Sequence, residues 1–265
     1  MIKMIRIFII VPSLIGQYLY RALDSLGSKF NFFLECVISC FRPKFYPKLV
    51  LQQFVKIGFN SLPVVGLTAI FTGMVLALQS YTGFSRFSAE SVIPNVVALS
   101  ITRELSPVLA GLMVAGRSGA AIAAEIGTMK VTEQIDALKT LSTNPINYLI
   151  APRIIAGVIS LPLLVLIGDI IGIFGGFIVC VYTLGFNPDV YLINTHNFIQ
   201  ISDIISGLVK ASVFGLIISF MGCYHGFNAK GGAQGVGLAT TYSVVSSSIL
   251  ILSLNYILSF LFFQF

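Results

Sequence analysis

The amino-acid sequence predicts an all-α integral membrane protein, an N-terminal interfacial helix followed by five transmembrane helices with a short coupling helix between spans 2 and 3. Three observations carry this. Of the 265 residues, 56% are hydrophobic and only 10% charged, whereas soluble domains carry about 25% charged residues. Five stretches are long enough to cross about 30 Å of hydrocarbon, which takes about 20 apolar residues. The most polar stretch after the N-terminus, residues 117–146, contains a helical pattern of its own.

The chain divides into an N-terminal region, 1–45, and a five-span domain, 46–265. In the first, Lys3 and Arg6 precede an apolar run, Ile7 to Ile15, that resembles a signal peptide. No small-x-small cleavage site follows, so the segment is expected to be retained. Interrupted by Arg21, Asp24, Lys29 and Glu35, it suits a helix lying in the membrane interface.

The first span is expected from Ile57 to Ser85, which contains no charge. The second runs from about Val92 to Gly116, broken only by Arg103-Glu104. The third covers Ile150 to Leu184 with Asp169 inside it, the fourth Ile204 to Tyr224, and the fifth Val236 to the C-terminus. Residues 185–202 and 225–235 read as loops, each with one of the histidines, His196 and His225; no metal site can be argued from two separated histidines. Cys36, Cys40, Cys180 and Cys223 form no CxxC and read as small apolar residues in helices.

Charge sets the orientation. Eight of the sixteen Lys and Arg residues lie in the first 56 positions, which points to a cytoplasmic flank touching anionic lipid rather than to nucleic acid. With the N-terminus inside, the inner segments also hold Arg117, Lys130, Lys139, Arg153 and Lys230, and the outer loops only Arg86. Loop 117–146 is then cytoplasmic and the C-terminus lies on the far side. No internal repeat is visible, and five spans cannot form equal inverted halves, which disfavours a secondary transporter of that type.

Within loop 117–146, Val131, Ile135 and Leu138 recur at i, i+4, i+7, while Lys130, Glu133, Asp136 and Lys139 fall on the other side at pairing distance. Asn144-Pro145 stops the helix. An amphipathic helix there suits either docking of a soluble motor subunit or packing on lipid headgroups.

The residues of this region resemble a known signature. The stretch Thr102-Arg103-Glu104-Leu105-Ser106-Pro107-Val108, then the run from Ala115 to Leu138, AGRSGAAIAAEIGTMKVTEQIDAL, is similar to that of the MlaE permease family. That family includes permeases of bacterial phospholipid-trafficking ABC systems and their plastid relatives. The similarity continues through Asn144-Pro145, Tyr148-Leu149 and Pro152-Arg153, and resumes at Asp203, Gly207-Leu208, Lys210-Ala211, Phe214-Gly215 and Gly222-Cys223-Tyr224. It covers about residues 45–260. Ser106 departs from the glycine usual before the proline, which alters helix packing there.

The resemblance implies a homodimeric permease with two copies of an ABC ATPase beneath it. A periplasmic MCE-domain lipid-binding protein would sit above, and a STAS-type accessory protein would join the ATPase. It also implies that residues 117–142 contain the coupling helix, with Glu125, Lys130, Thr132, Glu133, Gln134, Asp136 and Leu138 as candidate coupling residues. The default location is the bacterial inner membrane, ahead of the plastid inner envelope. ATP and Mg²⁺ would belong to the partner, since this chain has no Walker motif and Gly231-Gly232-Ala233-Gln234-Gly235 lacks a P-loop context.

Ionisable residues inside spans mark function or pairing. Arg103 and Glu104 point about 100° apart on a helix and so do not simply neutralise each other, and Asp203 and Lys210, seven residues apart, share a face about 10 Å long. Either Arg103, Glu104 and Lys210, with Asp203 on the same face, line a cavity and meet a lipid headgroup, as a guanidinium suits phosphate, or they pair between helices. Gly168, Gly172 and Gly176 form a small-xxx-small row expected to serve close packing. An intramembrane lipid enzyme would want a nucleophile with a base, or a metal cluster, inside the spans, and no such set is visible. A channel or carrier uncoupled from ATP is the alternative that accounts for the buried charges, though not for the docking helix.

Overall fold

The computed structural model describes residues 20, 27–40 and 46–263, and among them all regular structure is helical. Helix α1 (27–40) covers part of the expected interfacial region; the rest of 1–45 lies outside the described residues. Rather than only facing lipid, α1 packs inward. Phe32 meets the rings of Phe220, Tyr224 and Phe227, Phe33 meets Phe220 edge-on at 5.3 Å, and Cys36 is fully buried. Burial pushes the Cys36 and Cys40 thiols up, which suits their reading as small apolar fillers.

Five helical segments have the length and composition to cross a membrane. The first, Pro47–Phe87, starts ten residues before the expected Ile57. It consists of α2 (Pro47–Ile57), a turn at Phe59–Ser61 and α3 (Leu62–Phe84), and both helices place a proline in their first turn, where its missing N–H costs nothing. The lysines of α2 did not prevent helix formation because Lys48 and Lys56 sit on its exposed side.

The second segment, Glu90–Val131, overruns the expected Gly116 by fifteen residues. Helices α4 (Ile93–Ser100), α5 (Ser106–Val114) and α6 (Ala120–Val131) are joined by π turns at Ile101–Leu105 and Ala115–Gly119. Residues 117–131 read as a loop because they are polar by composition. They are a helix because Ile122, Ala123, Ile126 and Gly127 give α6 one buried apolar face. The expected stripe Val131, Ile135, Leu138 is therefore split. Val131 ends α6, the chain breaks at Thr132-Glu133 with Glu133 in the left-handed region at φ 61, and α7 (Gln134–Thr140) carries the other two.

The third segment, Ile146–Thr183, contains α8 (Ala151–Ile178) between two further π turns. The stretch expected as a loop up to residue 202 instead contains α9 (Pro188–Phe198). Its start signal was in the sequence: the Asn187 side chain accepts from Asp189 N at 2.9 Å and Val190 N at 3.3 Å, with Pro188 at the first position. Helix α10 (Ile201–Phe227) follows, then a turn with Gly231 and Gly232 at φ 87 and 67, then α11 (Gly232–Phe263). Both histidines are helical, His196 in α9 and His225 in the last turn of α10, because each expected loop was shorter than read.

Helix α8 is the centre, packed on α2, α3 and α10. Glycines set these distances. A Cβ on Gly73 of α3 would collide with the Gly172 carbonyl of α8, and one on Gly215 of α10 with that of Gly157. With all five segments long enough to cross a bilayer and their outward faces apolar, as at Leu67, Phe71 and Val75 of α3 and Val245, Ile249 and Leu252 of α11, this is a multi-pass membrane protein.

Candidate functional site in the bundle interior

The first π turn places Arg103 and Glu104 against α10, and each finds a separate partner. Arg103 Nε and Nη2 both donate to Asp203 Oδ1, at 2.8 and 2.6 Å. Asp203 Oδ2 accepts from the Gln200 backbone N–H at 3.1 Å, capping α10. Lys210 Nζ donates to Glu104 Oε1, to Ser259 Oγ and to the Arg103 carbonyl, each at 2.8 Å. Glu104 also accepts from Asn255 Nδ2 at 2.9 Å and Ser259 Oγ at 2.8 Å. One polar knot thus ties spans 2, 4 and 5 together.

Burial divides the knot. Asp203 and Lys210 are sealed at 1% and 0% exposure, while the Arg103 and Glu104 side chains keep 30% and 39%. Within one chain the Lys210 ammonium is enclosed by α11 and the π turn. Arg103 and Glu104 are the members of the knot that keep part of their side-chain surface exposed.

At the end of the bundle that carries α7, Glu125 accepts from Lys56 at 2.7 Å and from Arg153 at 3.0 Å. It thereby brackets α2, α6 and α8. Asp136 of α7 meets Lys130 at 3.2 Å and Lys139 at 3.1 Å; the Lys139 ammonium, then that of Lys130, holds its carboxyl below the usual carboxylate range. Thr132 caps Thr128 O at 2.8 Å, Gln134 is exposed, Ile135 is fully buried and Leu138 packs partly on the core. The candidate coupling residues therefore sit on two helices. Glu125 belongs to an inter-helix bracket on α6, and Lys130 reaches across the break to α7.

The profile of the family described as Permease MlaE matches residues 50–261, four-fifths of the chain. The chain belongs to the MlaE permease family. A probable ABC transporter permease protein of Rickettsia felis is 58% identical over 254 residues, 96% of this chain and 98% of the relative. The intermembrane phospholipid transport system permease protein MlaE of Haemophilus influenzae is 40% identical over 221 residues, 83% of this chain and 84% of the relative. The chloroplastic protein trigalactosyldiacylglycerol 1 of Arabidopsis thaliana is 39% identical over 230 residues, 87% of this chain and 66% of the relative.

In this MlaE-family chain the glycine row lies against spans 1 and 2. Gly168 faces Ser106 Oγ, Gly172 faces Ala69 O and Ile101, and Gly176 faces Val97 and the Tyr191 hydroxyl. The departure at Ser106 is accommodated there: its hydroxyl donates to Val165 O at 3.2 Å, in space left by Gly168. Sequence reasoning missed Asn255 and Ser259, whose i, i+4 spacing was one of several among the neutral polar residues of the fifth span. It assigned Arg117 and Arg153 no site role, using them for topology and as parts of the family-like stretches. Among the described residues no group of three His, Cys, Asp or Glu is placed to hold a metal.

Proposed function

We propose that this chain is the permease subunit of an ABC transporter that moves phospholipid, or a similar lipid, between the inner membrane and an MCE-type lipid-binding protein on the far side. A separate ATPase supplies the energy and handles ATP and Mg²⁺. The α7 end faces the cytoplasm and receives the ATPase, with a STAS-type protein as accessory. Two copies of the chain form the permease, and the exposed apolar faces of α3 and α11 are the surfaces left to meet a second copy or lipid. The C-terminus is periplasmic. The names of the Rickettsia and Haemophilus relatives support the transporter class and the lipid cargo.

The observation that carries the reading is the half-open knot. Four ionised groups deep in an apolar bundle are costly unless paired. Here each pair has one member sealed, Asp203 and Lys210, and one partly exposed, Arg103 and Glu104. A guanidinium and a carboxylate that keep part of their surface can exchange partners with a phosphate and an amine of a lipid headgroup.

The test is lipid transfer between the reconstituted permease–ATPase complex and its lipid-binding partner, with Arg103→Ala. Transfer is expected to fall at least tenfold while the ATPase is retained on purification. Unchanged transfer in a normally assembled complex would overturn the role of the knot, and absence of any co-purifying ATPase would favour an uncoupled channel or carrier.

A further inference from the structure

A second polar site lies about 21 Å from the knot along the same helix, fourteen residues on at 1.5 Å each. Between α2 and α6 is a cavity of about 260 Å³, lined by Gln53, Lys56, Asn60, Arg117, Ser118 and Glu125 with apolar neighbours. A single water needs roughly 10–15 Å³, so the space holds a group far larger. The reading of the knot does not use it.

Its chemistry is defined by Arg117. Nη1 alone makes this side chain's three hydrogen bonds, to Ser61 Oγ at 2.8 Å, Lys56 O at 3.1 Å and Ser118 Oγ at 3.2 Å. These hold the guanidinium plane in place and leave Nη2 and Nε without a partner among the described residues. No carboxylate of the described residues lies within ion-pair distance of Arg117. The one acid of the cavity, Glu125, is already shared by Lys56 and Arg153. Counting Lys56, Arg117 and Arg153 against Glu125, the cluster carries two positive charges in excess. The amides of Gln53 and Asn60 line the same space and hydrogen-bond to no other described residue.

Depth narrows the ligand. The 23 residues of α3 make about 35 Å of helix, enough by itself to cross the hydrocarbon thickness of about 30 Å, and α2 precedes it. Helix α2 therefore lies at headgroup level. Leu51, Val55 and Phe59 recur at i, i+4, i+8 and are all exposed, the pattern of a face set against acyl chains. Gln53 and Lys56 of α2 and Asn60 of the turn after it fall on the other side, turned toward α6, so the cavity lies at the same depth as that stripe.

We propose that this cavity is a phosphate-binding site, in which the fixed Arg117 fork, assisted by Lys56 and the amides of Gln53 and Asn60, holds the phosphate of an anionic lipid or a free phosphate ion. It is separate from the transport knot and stands whether or not the knot contacts cargo.

The test uses the full chain in maltoside detergent, with dioctanoyl-phosphatidylglycerol and inorganic phosphate as probes read by calorimetry. Gln53→Glu places a carboxylate beside Arg117 without disturbing its three bonds, and Gln53→Lys adds a cation. Phosphatidylglycerol binding is expected to weaken about tenfold in the first and to tighten in the second. In an Arg103→Gln background, which removes any contribution of the knot, the opposite effects of Gln53→Glu and Gln53→Lys are expected to persist. Competition by inorganic phosphate at millimolar level assigns the site to phosphate alone; lipid binding that phosphate does not displace assigns it to the headgroup with its chains. Equal affinity for both probes in wild type, Gln53→Glu and Gln53→Lys, with unaltered melting temperatures, would overturn the site. So would loss of binding in Arg103→Gln alone, which would locate the anion in the knot.

Discussion

Removing one member of a buried ion pair strands the other, and Lys210 is the most demanding member of the knot. Lys210→Met keeps the length and apolar stem but deletes three 2.8 Å hydrogen bonds and leaves Glu104 facing only Asn255 and Ser259. Breaking a buried pair costs about 3–5 kcal/mol. Glu104 keeps 39% side-chain exposure, so water offsets part of that, and about 3 kcal/mol is the expected loss. At roughly 2–4 °C per kcal/mol for a chain of this size, the melting temperature falls about 6–12 °C. The double variant Glu104→Gln/Lys210→Met removes both charges, and its glutamine still hydrogen-bonds Asn255 and Ser259. It is expected to recover about half of the loss, a coupling of roughly 1–2 kcal/mol. Thermal unfolding of the purified chain in one detergent measures Lys210→Met, Glu104→Gln and the double variant. A single variant that melts like wild type, or a double variant at the sum of both single losses, would refute the pairing.

Gly73→Ala forces a Cβ into the Gly172 carbonyl and is expected to cost about 1–3 kcal/mol, whereas Gly116→Ala meets nothing within 4 Å and is expected to be neutral or stabilising; paired melting curves compare them. Glu133 holds φ 61 at the α6–α7 break, so Glu133→Gly should relieve about 1 kcal/mol of backbone strain and raise the melting temperature by a few degrees; a lower melting temperature would place a stabilising role on its carboxylate. The Asp136 carboxyl is depressed from its ordinary 3.8 by Lys139 and Lys130, so its contribution is present above 3.8 and is lost as pH falls through its lower folded value. The difference in α7 amide protection between wild type and Asp136→Asn should be full at pH 7 and close below 3.8, as read by hydrogen exchange.

Hydropathy located all five spans because each carries a run of apolar residues that no soluble helix needs. Its errors share one cause. It equates polar composition with loop, and so cut α6 short and passed over α9, although both have capping or packing reasons to be helical. The positions of α6 that decide the matter, Ile122 and Ile126, are four apart among alanines and glycines, too small to register as an apolar stripe. In the site, the charged residues announced themselves by being charged inside spans. Their pairing did not, since Arg103 with Asp203 and Glu104 with Lys210 are contacts across about a hundred residues that no local pattern encodes. Asn255 and Ser259 were harder still, because neutral polar residues in a membrane helix commonly bond their own backbone, as Ser253 does to Ile249 O at 2.8 Å.

The two π turns of the second segment connect these observations. Each widens the helix by one residue in one turn, and such turns concentrate at functional positions. The first, Ile101–Leu105, contains Arg103 and Glu104; the second, Ala115–Gly119, contains Arg117. In a regular α-helix neighbouring residues diverge by about 100°, which would carry either Arg103 or Glu104 away from α10. The π turn lets both reach that helix, one to Asp203 and the other to Lys210, two turns apart. The second turn brings Arg117 and Ser118 together against Ser61 and the end of α2. Gly116 and Gly119 flank Arg117, and Gly119 lies close enough to Ile218 that only glycine fits without displacement. The helix is thus deformed at the two places where a guanidinium must be presented sideways from a membrane span, and regular in between, where α5 has only apolar packing to satisfy.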